Sequence, residues 1–131
     1  MSSFKAFMKQ REDASNAFVN GEIGPLLDIS TQTSPATIFP PNGLCVQSAE
    51  EVNAFNTSGA RMFDGFSENR FEVMHMAESD GLAYWTGIQR SVVRMKGKPE
   101  PVAMDLRITE IFRLEDGEWK LIHRHADPLK G

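Results

Sequence analysis

The second half of the chain consists of strand-like runs that tight turns separate. The runs cover residues 71–77, 82–95, 102–114 and 118–126. The turns between them are Ser79-Asp80-Gly81, residues 96–99 and Glu115-Asp116-Gly117. Asp-Gly between two alternating runs is a strong hairpin signal. Three successive hairpins predict a four-stranded antiparallel meander, and such a sheet twists and curls around a hollow on its concave side.

The chain begins with a pattern that favours a helix over residues 3–20. Apolar side chains recur there at i, i+3 and i+4, which places them on one face. The face consists of Phe4, Phe7, Met8, Arg11, Ala14, Ser15, Phe18 and Val19. Ser2 or Ser3 can cap the start of this helix, and Gly21 can end it.

Two short strands and two further helical segments are predicted before the meander. A helical turn begins near Pro25, and short strands are expected at 36–39 and 44–47. Ser48 and Glu51 form a capping box that opens a longer helix, ending near Gly65. Helices followed by a meander predict an α+β fold. In it, a curved, mainly antiparallel sheet wraps around N-terminal helices and encloses an internal pocket.

The composition narrows the class of protein. A chain of 131 residues with 40% hydrophobic and 24% charged side chains is expected to form one domain, residues 1–131. The net charge of -4 disfavours nucleic acid as a partner. No signal peptide or membrane span is visible, and the single Cys45, expected to be buried, permits no intrachain disulfide. A cytoplasmic protein without a cofactor or metal is the expectation.

The closing segment ITEIFRLEDGEWKLIHRHAD, residues 108–127, combines a Thr-x-x-Phe-Arg strand, an Asp-Gly turn, a tryptophan and a His-x-His ending. It resembles the last hairpin of the nuclear transport factor 2-like superfamily, especially its SnoaL-like and ketosteroid-isomerase-like branches. It is also similar to the hub domain of calcium/calmodulin-dependent kinase. The resemblance implies a cone-shaped, cystatin-like domain, commonly dimeric, with a pocket between helices and sheet. It implies no particular reaction, because this fold hosts many.

The resemblance also identifies three positions that ketosteroid isomerases use for chemistry. These enzymes need a carboxylate base and two acidic hydrogen-bond donors, a tyrosine and a protonated aspartic acid. The matching positions here hold Pro40 for the base, with Ala14 and Glu110 for the donors. Proline and alanine side chains cannot move a proton or donate a hydrogen bond. Steroid isomerisation by that mechanism is therefore not expected.

Glu110 is the acidic candidate that remains. Its strand face otherwise holds only Leu106, Ile108, Phe112 and Leu114. The resemblance implies that Arg124, on the facing strand, lies on the pocket side, where it would keep Glu110 ionised as a base. Limonene epoxide hydrolases, which this arrangement resembles, also need a second acid that has no evident position here. The alternative is a structural ion pair between Glu110 and Arg124.

The other side of the last strand carries two histidines. This face is predicted to hold Trp119, Leu121, His123 and His125 and to contact a second subunit. His125, near the strand end, is also a candidate auxiliary catalytic residue. A shift of one residue in the register of the last strand would move each of its side chains to the opposite face of the sheet. The sequence therefore leaves open whether Glu110 and Arg124 or the two histidines face the pocket.

Two functional classes stay open. One is a small isomerase-, cyclase- or hydrolase-like enzyme that uses Glu110, Arg124 and His125 for acid–base chemistry on a small apolar organic substrate. The other is a non-catalytic ligand-binding or oligomerisation domain, with homodimers formed through the outer sheet face. In either case the candidate ligand-binding residues are Tyr84, Trp85, Phe18, Ile108, Phe112 and Ile122.

Overall fold

A computed structural model describes residues 3–130. Helix α1 (Phe4–Phe18) begins at Ser3, whose Oγ accepts a hydrogen bond from the Ala6 N–H at 3.1 Å. Ser2, the other predicted cap, lies outside the described residues. Helix α2 (Gly24–Asp28) carries Pro25 in its first turn. Helix α3 (Ala49–Ala60) begins at Ser48, whose Oγ accepts from the Glu51 N–H, and it ends five residues before Gly65.

The strands form one sheet that curves around these helices. They are β1 (Thr37–Phe39), β2 (Val46–Gln47), β3 (Glu68–Ser79), β4 (Leu82–Val93), β5 (Val102–Ala103), β6 (Leu106–Glu115) and β7 (Glu118–Pro128). Their order is β2-β1-β7-β6-β4-β3, with β5 paired to β4. The predicted antiparallel meander is confirmed as β3-β4-β6-β7. The pairing of β1 with β7 is parallel and was not predicted.

Strand β7 contains a bulge that changes which side chains face the helices. Ile111 pairs with His123, whereas Phe112 pairs with Leu121, so Ile122 is an extra residue between two regular stretches. Trp119 and Leu121 are consequently buried in the core, at 3% and 8% exposure. The prediction that these two residues share a face with His123 and His125 is therefore wrong, because a bulge inserts one unpaired position.

The core lies between α1 and the concave side of the sheet. Phe4 and Phe7 of α1 pack against Phe112, and Phe4 also contacts Trp119 edge-on. Such aromatic pairs add to the free energy gained by burying apolar area. They hold α1 across the sheet, and this position brings Arg11 of α1 to Glu110 of β6.

Two further expectations concern individual features of the chain. None of the described helices combines the length and apolarity that a membrane crossing requires. Cys45 is exposed, so the expectation that it is buried is wrong. It lies in the loop that connects the Gly43 turn to β2, outside the helix–sheet core.

Candidate functional site

Three charged side chains meet on the concave side of the sheet. Glu110 of β6 is fully buried. Arg11 of α1 donates to it from Nε at 2.8 Å and from Nη2 at 2.6 Å, as a two-pronged ion pair. Arg124, directly opposite Glu110 on β7, donates from Nη1 at 2.8 Å. The structure thus joins Glu110 and Arg124, as the resemblance of the closing hairpin implied, and adds a second arginine.

The environment of Glu110 favours its charged form. Burial by itself raises the pKa of this carboxyl, but the charges and hydrogen bonds of Arg11 and Arg124 outweigh burial and lower the pKa to about 2. The indole Nε1 of Trp85 donates a fourth hydrogen bond at 2.7 Å. Glu110 is therefore a carboxylate at neutral pH, and its two oxygens already accept four hydrogen bonds.

A buried polar chain continues from the arginines across the sheet. Arg124 Nη2 donates to Gln89 Oε1 at 2.8 Å. Ser91 Oγ donates to Asn69 Oδ1 at 2.7 Å, and Asn69 Nδ2 donates to Ser15 Oγ at 2.9 Å. Burial lowers the pKa of Arg124, which the Glu110 charge partly offsets. The guanidinium of Arg124 is thereby held between Glu110 and Gln89.

A cavity of about 360 Å³ opens beside this ion cluster. Its wall is mostly apolar and is contributed by α1, α3, the loop after β1 and the concave side of the sheet. Apolar lining residues include Phe18, Leu26, Phe55, Met104, Leu106 and Ile122. Arg11 and Arg124 also line it, whereas Glu110 lies behind them and does not.

Two lining residues carry buried polar atoms that no described group satisfies. Arg11 uses Nε and Nη2 on Glu110, and its Nη1 has no hydrogen-bond partner among residues 3–130. Asn53 of α3 donates through Nδ2 to the Thr31 carbonyl at 3.2 Å, and its Oδ1 likewise has no partner there. Unsatisfied buried polar atoms are rare in native proteins and call for an explanation.

The predicted ligand-binding residues lie in three different places. Phe18 and Ile122 line the cavity. Trp85, Ile108 and Phe112 belong to the packed core, and none of them contributes to the cavity wall. Tyr84 lies on the opposite side of the sheet, where its hydroxyl is 2.9 Å from His75 Nδ1. Adjacent residues on a strand point to opposite faces, and here Trp85 is the inward one.

The histidines of β7 lie on the outer face of the sheet. We define this face by Phe39, Tyr84, Thr109, His123 and His125, which neighbouring strands bring side by side. Both histidine rings contact Phe39 edge-on, and His123 Nδ1 is 2.6 Å from Thr37 Oγ1. The structure does not bring His125 together with Glu110 and Arg124. No cluster of three metal-binding side chains occurs among the described residues.

Arg11 is the site residue that the sequence reasoning missed. It belongs to the predicted inner face of α1, among phenylalanines, alanine and methionine. A charged residue within an apolar helical stripe needs a buried partner, since burying an unpaired charge is costly. The charged Arg11 within this apolar stripe was therefore visible in the sequence as a residue that needs a buried partner. Its partner is Glu110, the one charged residue on an apolar strand face.

Solved structures of low sequence identity share this fold. A candidate dehydratase of the NTF2-like family from Streptomyces avermitilis matches with a TM-score of 0.75 and 17% identity, over 98% of this chain and 100% of that chain. A candidate calcium/calmodulin-dependent protein kinase type II association domain from Thiobacillus denitrificans matches at 0.73 and 15%, over 94% of each chain. An NTF2-like protein from Cytophaga hutchinsonii matches at 0.71 and 14%, over 98% and 100%.

These likenesses show the fold alone. No family model matches the sequence, and no curated protein sequence matches it either. The fold is that of NTF2-like proteins, also described as cystatin-like, and the resemblance carried by the closing hairpin is confirmed at this level. Whether the chain shares a reaction or an assembly with any of these proteins is a separate question, because one fold hosts many functions.

Proposed function

We propose that the chain is a small-molecule-binding domain whose cavity takes a modest, mostly apolar organic molecule. The single observation that carries this proposal is the cavity of about 360 Å³ with apolar walls and two arginines at one end. Ligand sites in proteins are typically concave, about 300–1,000 Å³ in volume and largely apolar, with a few polar groups that orient the ligand. The NTF2-like fold of the chain is compatible with such a site.

The contacts of Glu110 favour binding over proton abstraction. A general base must reach the proton that it removes, and its pKa should lie near the working pH. Glu110 lies behind Arg11 and Arg124, accepts four hydrogen bonds and has a pKa of about 2. These features suit a fixed counter-charge that orients two arginines. The catalytic roles predicted for Glu110, Arg124 and His125 stay predictions.

The proposal is tested with a neutral, apolar fluorophore, N-phenyl-1-naphthylamine, in a fluorescence titration. The wild-type protein should bind one equivalent saturably. Val52→Trp places a large ring on the part of α3 that lines the cavity, so it should weaken binding at least tenfold. Ala54→Trp, on the exposed side of the same helix, is the matched control and should bind like the wild type. Equal binding by all three proteins would overturn the proposal.

We also propose that the outer face mediates self-association. It carries Phe39, which is 36% exposed, between the rings of His123 and His125. A mixed aromatic and polar surface of this kind is typical of protein interfaces. An association domain among the structural neighbours is compatible with this second role, and binding and self-association do not exclude each other.

A further inference from the structure

The charges of the ion cluster beside the cavity do not balance. Arg11 and Arg124 contribute two positive charges, and Glu110, whose carboxylate both arginines contact, contributes one negative charge. The side chains of Arg11 and Arg124 are only 3% and 15% exposed. The cluster therefore holds one excess positive charge in a largely buried position, where an uncompensated charge is costly.

Nothing else in the cavity wall compensates that charge. Among the described residues, the lining includes no aspartate, glutamate, lysine or histidine, so the two arginines are its only ionisable groups. The remaining polar lining residues include Ser15, Asn53, Asn56 and Gln89, which are neutral. A ligand in this cavity thus meets a positive potential at one end and apolar walls elsewhere.

The unpartnered nitrogen of Arg11 is a second, independent observation. The guanidinium group has three nitrogens, of which Nε and Nη2 donate to Glu110 while Nη1 has no described partner. The carboxylate of Glu110 fixes the orientation of the group, while the buried Nη1 is a donor without a partner among residues 3–130. An oriented guanidinium with donors to spare is the group that proteins use to bind carboxylates.

We infer that the ligand of this cavity is a small organic acid whose carboxylate lies against Arg11 and Arg124. The inference rests on the proposed binding function and specifies the class of ligand. A single carboxylate matches the single excess charge, whereas a phosphate group would bring up to two negative charges. The apolar walls then contact a hydrocarbon body, which makes a monocarboxylic acid a better match than a sugar acid.

Competition with bound N-phenyl-1-naphthylamine tests this inference separately from the binding proposal. The probes are hexanoate, hexanamide and hexyl phosphate, which share a six-carbon chain and differ in the head group. Hexanoate should compete at least tenfold better than hexanamide at pH 7, and better than hexyl phosphate. Arg124→Gln removes the excess charge but leaves the Arg11–Glu110 pair and the Trp85 hydrogen bond, so it should abolish the preference for the acid. Circular dichroism and thermal unfolding confirm that each variant is folded.

Two further comparisons exclude a general effect of charge. Arg107→Gln removes an arginine from the solvent-exposed side of β6, where it pairs with Asp127, and should leave the preference unchanged. Asn53→Asp adds a negative charge to the cavity wall without changing the ion cluster. Relative to the neutral control Asn53→Leu, it should weaken the binding of hexanoate but not the binding of hexanamide.

The possible outcomes separate the two claims. If the fluorophore binds but the acid and the amide compete equally, or the phosphate competes best, the binding proposal stands and the inference about carboxylates is wrong. If the preference for hexanoate persists in Arg124→Gln, the inference is also wrong. If neither the fluorophore nor any probe binds, both claims fail.

Discussion

Glu110 is the residue on which the ion cluster depends. Among residues 3–130 it is the only carboxylate that pairs with the two buried arginines, and it is held by contacts from α1, β4 and β7. Replacing one member of a buried ion cluster leaves the others without compensation, which typically costs about 3–5 kcal/mol. The role of Glu110 in stability can therefore be measured independently of any ligand.

Glu110→Gln should lower the free energy of unfolding at pH 7 by about 3–5 kcal/mol in urea titrations. The pKa of Glu110 is lower in the folded protein than in the unfolded chain, so the unfolded chain binds more protons as the pH falls. The wild type should consequently lose about 3 kcal/mol through Glu110 between roughly pH 5 and pH 2.

The variant lacks this carboxyl, so its free energy of unfolding should fall less steeply over the same range of pH. Other carboxylates titrate in both proteins and cancel in the difference. Glu118→Gln, at a largely exposed position, is the control and should stay within about 0.5 kcal/mol of the wild type. If the free energies of unfolding of wild type and Glu110→Gln fall in parallel with pH, the lowered pKa of Glu110 in the folded protein is contradicted.

Two of the three charged residues of the site, Glu110 and Arg124, were predicted before the structure was known. Glu110 was found because a carboxylate on an apolar strand face is unusual. Arg124 was found because the resemblance of the closing hairpin to NTF2-like proteins places it on the pocket side, whereas the turn register alone would place His123 opposite Glu110. Arg11 was visible as a charge in an apolar stripe but could not be assigned a partner. Its contact joins residues 99 positions apart, and periodicity alone does not show which elements pack together.

Strands β3 and β4 approach each other closely at Gly87. A Cβ atom on Gly87 would lie 2.0 Å from the Glu72 carbonyl oxygen, at the bulge between Val73 and His75. Backbone atoms cannot move aside as the end of a flexible side chain can. Glycine at this position thus allows β3 to bend across β4, which contributes to the curvature of the sheet.

Gly87→Ala should destabilise the protein by roughly 3 kcal/mol or more, since the added methyl group meets backbone on a paired strand. The measurement is the midpoint of thermal or urea unfolding. Gly24→Ala is the matched control, because no described atom outside its chain neighbours and its own helix backbone lies within 4 Å of the added group, and the change falls in the first turn of α2. Equal stability of the two variants would show that β3 can shift without cost.

The elements themselves were largely predictable, and their irregularities were not. Turn residues and apolar alternation located the meander, and Ser3, Pro25 and Ser48 marked the starts of the helices. The bulge at Ile122 has no signature in composition, because it is set by how β7 fits its neighbours. The parallel pairing of β1 with β7 depends on a contact between distant segments for the same reason.

The whole molecule presents two different sides of one sheet. The concave side holds the cavity and its buried charges, whereas the outer face is half-exposed and carries aromatic and imidazole rings. A protein with both sides in use would bind a ligand inside and a second copy of itself outside. The two sides can be tested separately, because side chains on a strand alternate between them.

Self-association should be visible by sedimentation velocity as a dimer at micromolar concentration. Phe39→Glu places a charge on the outer face beside His123 and His125 and should shift the protein to monomer. Phe66→Glu changes a 95% exposed phenylalanine in the loop before β3 and should leave the dimer intact. A monomeric wild type, or a dimer that survives Phe39→Glu, would assign the outer face no role in assembly.

The bulge in β7 has a consequence for how the side chains that line such a cavity can change in evolution. In a regular strand that kept Ile122, His123 and His125 would follow Leu121 inward and Arg124 would turn to the outside. The triplet His123-Arg124-His125 therefore encodes two alternative cavity linings, one with a guanidinium group and one with two imidazole rings. An inserted or deleted residue upstream, rather than any substitution inside the cavity, would exchange one chemistry for the other.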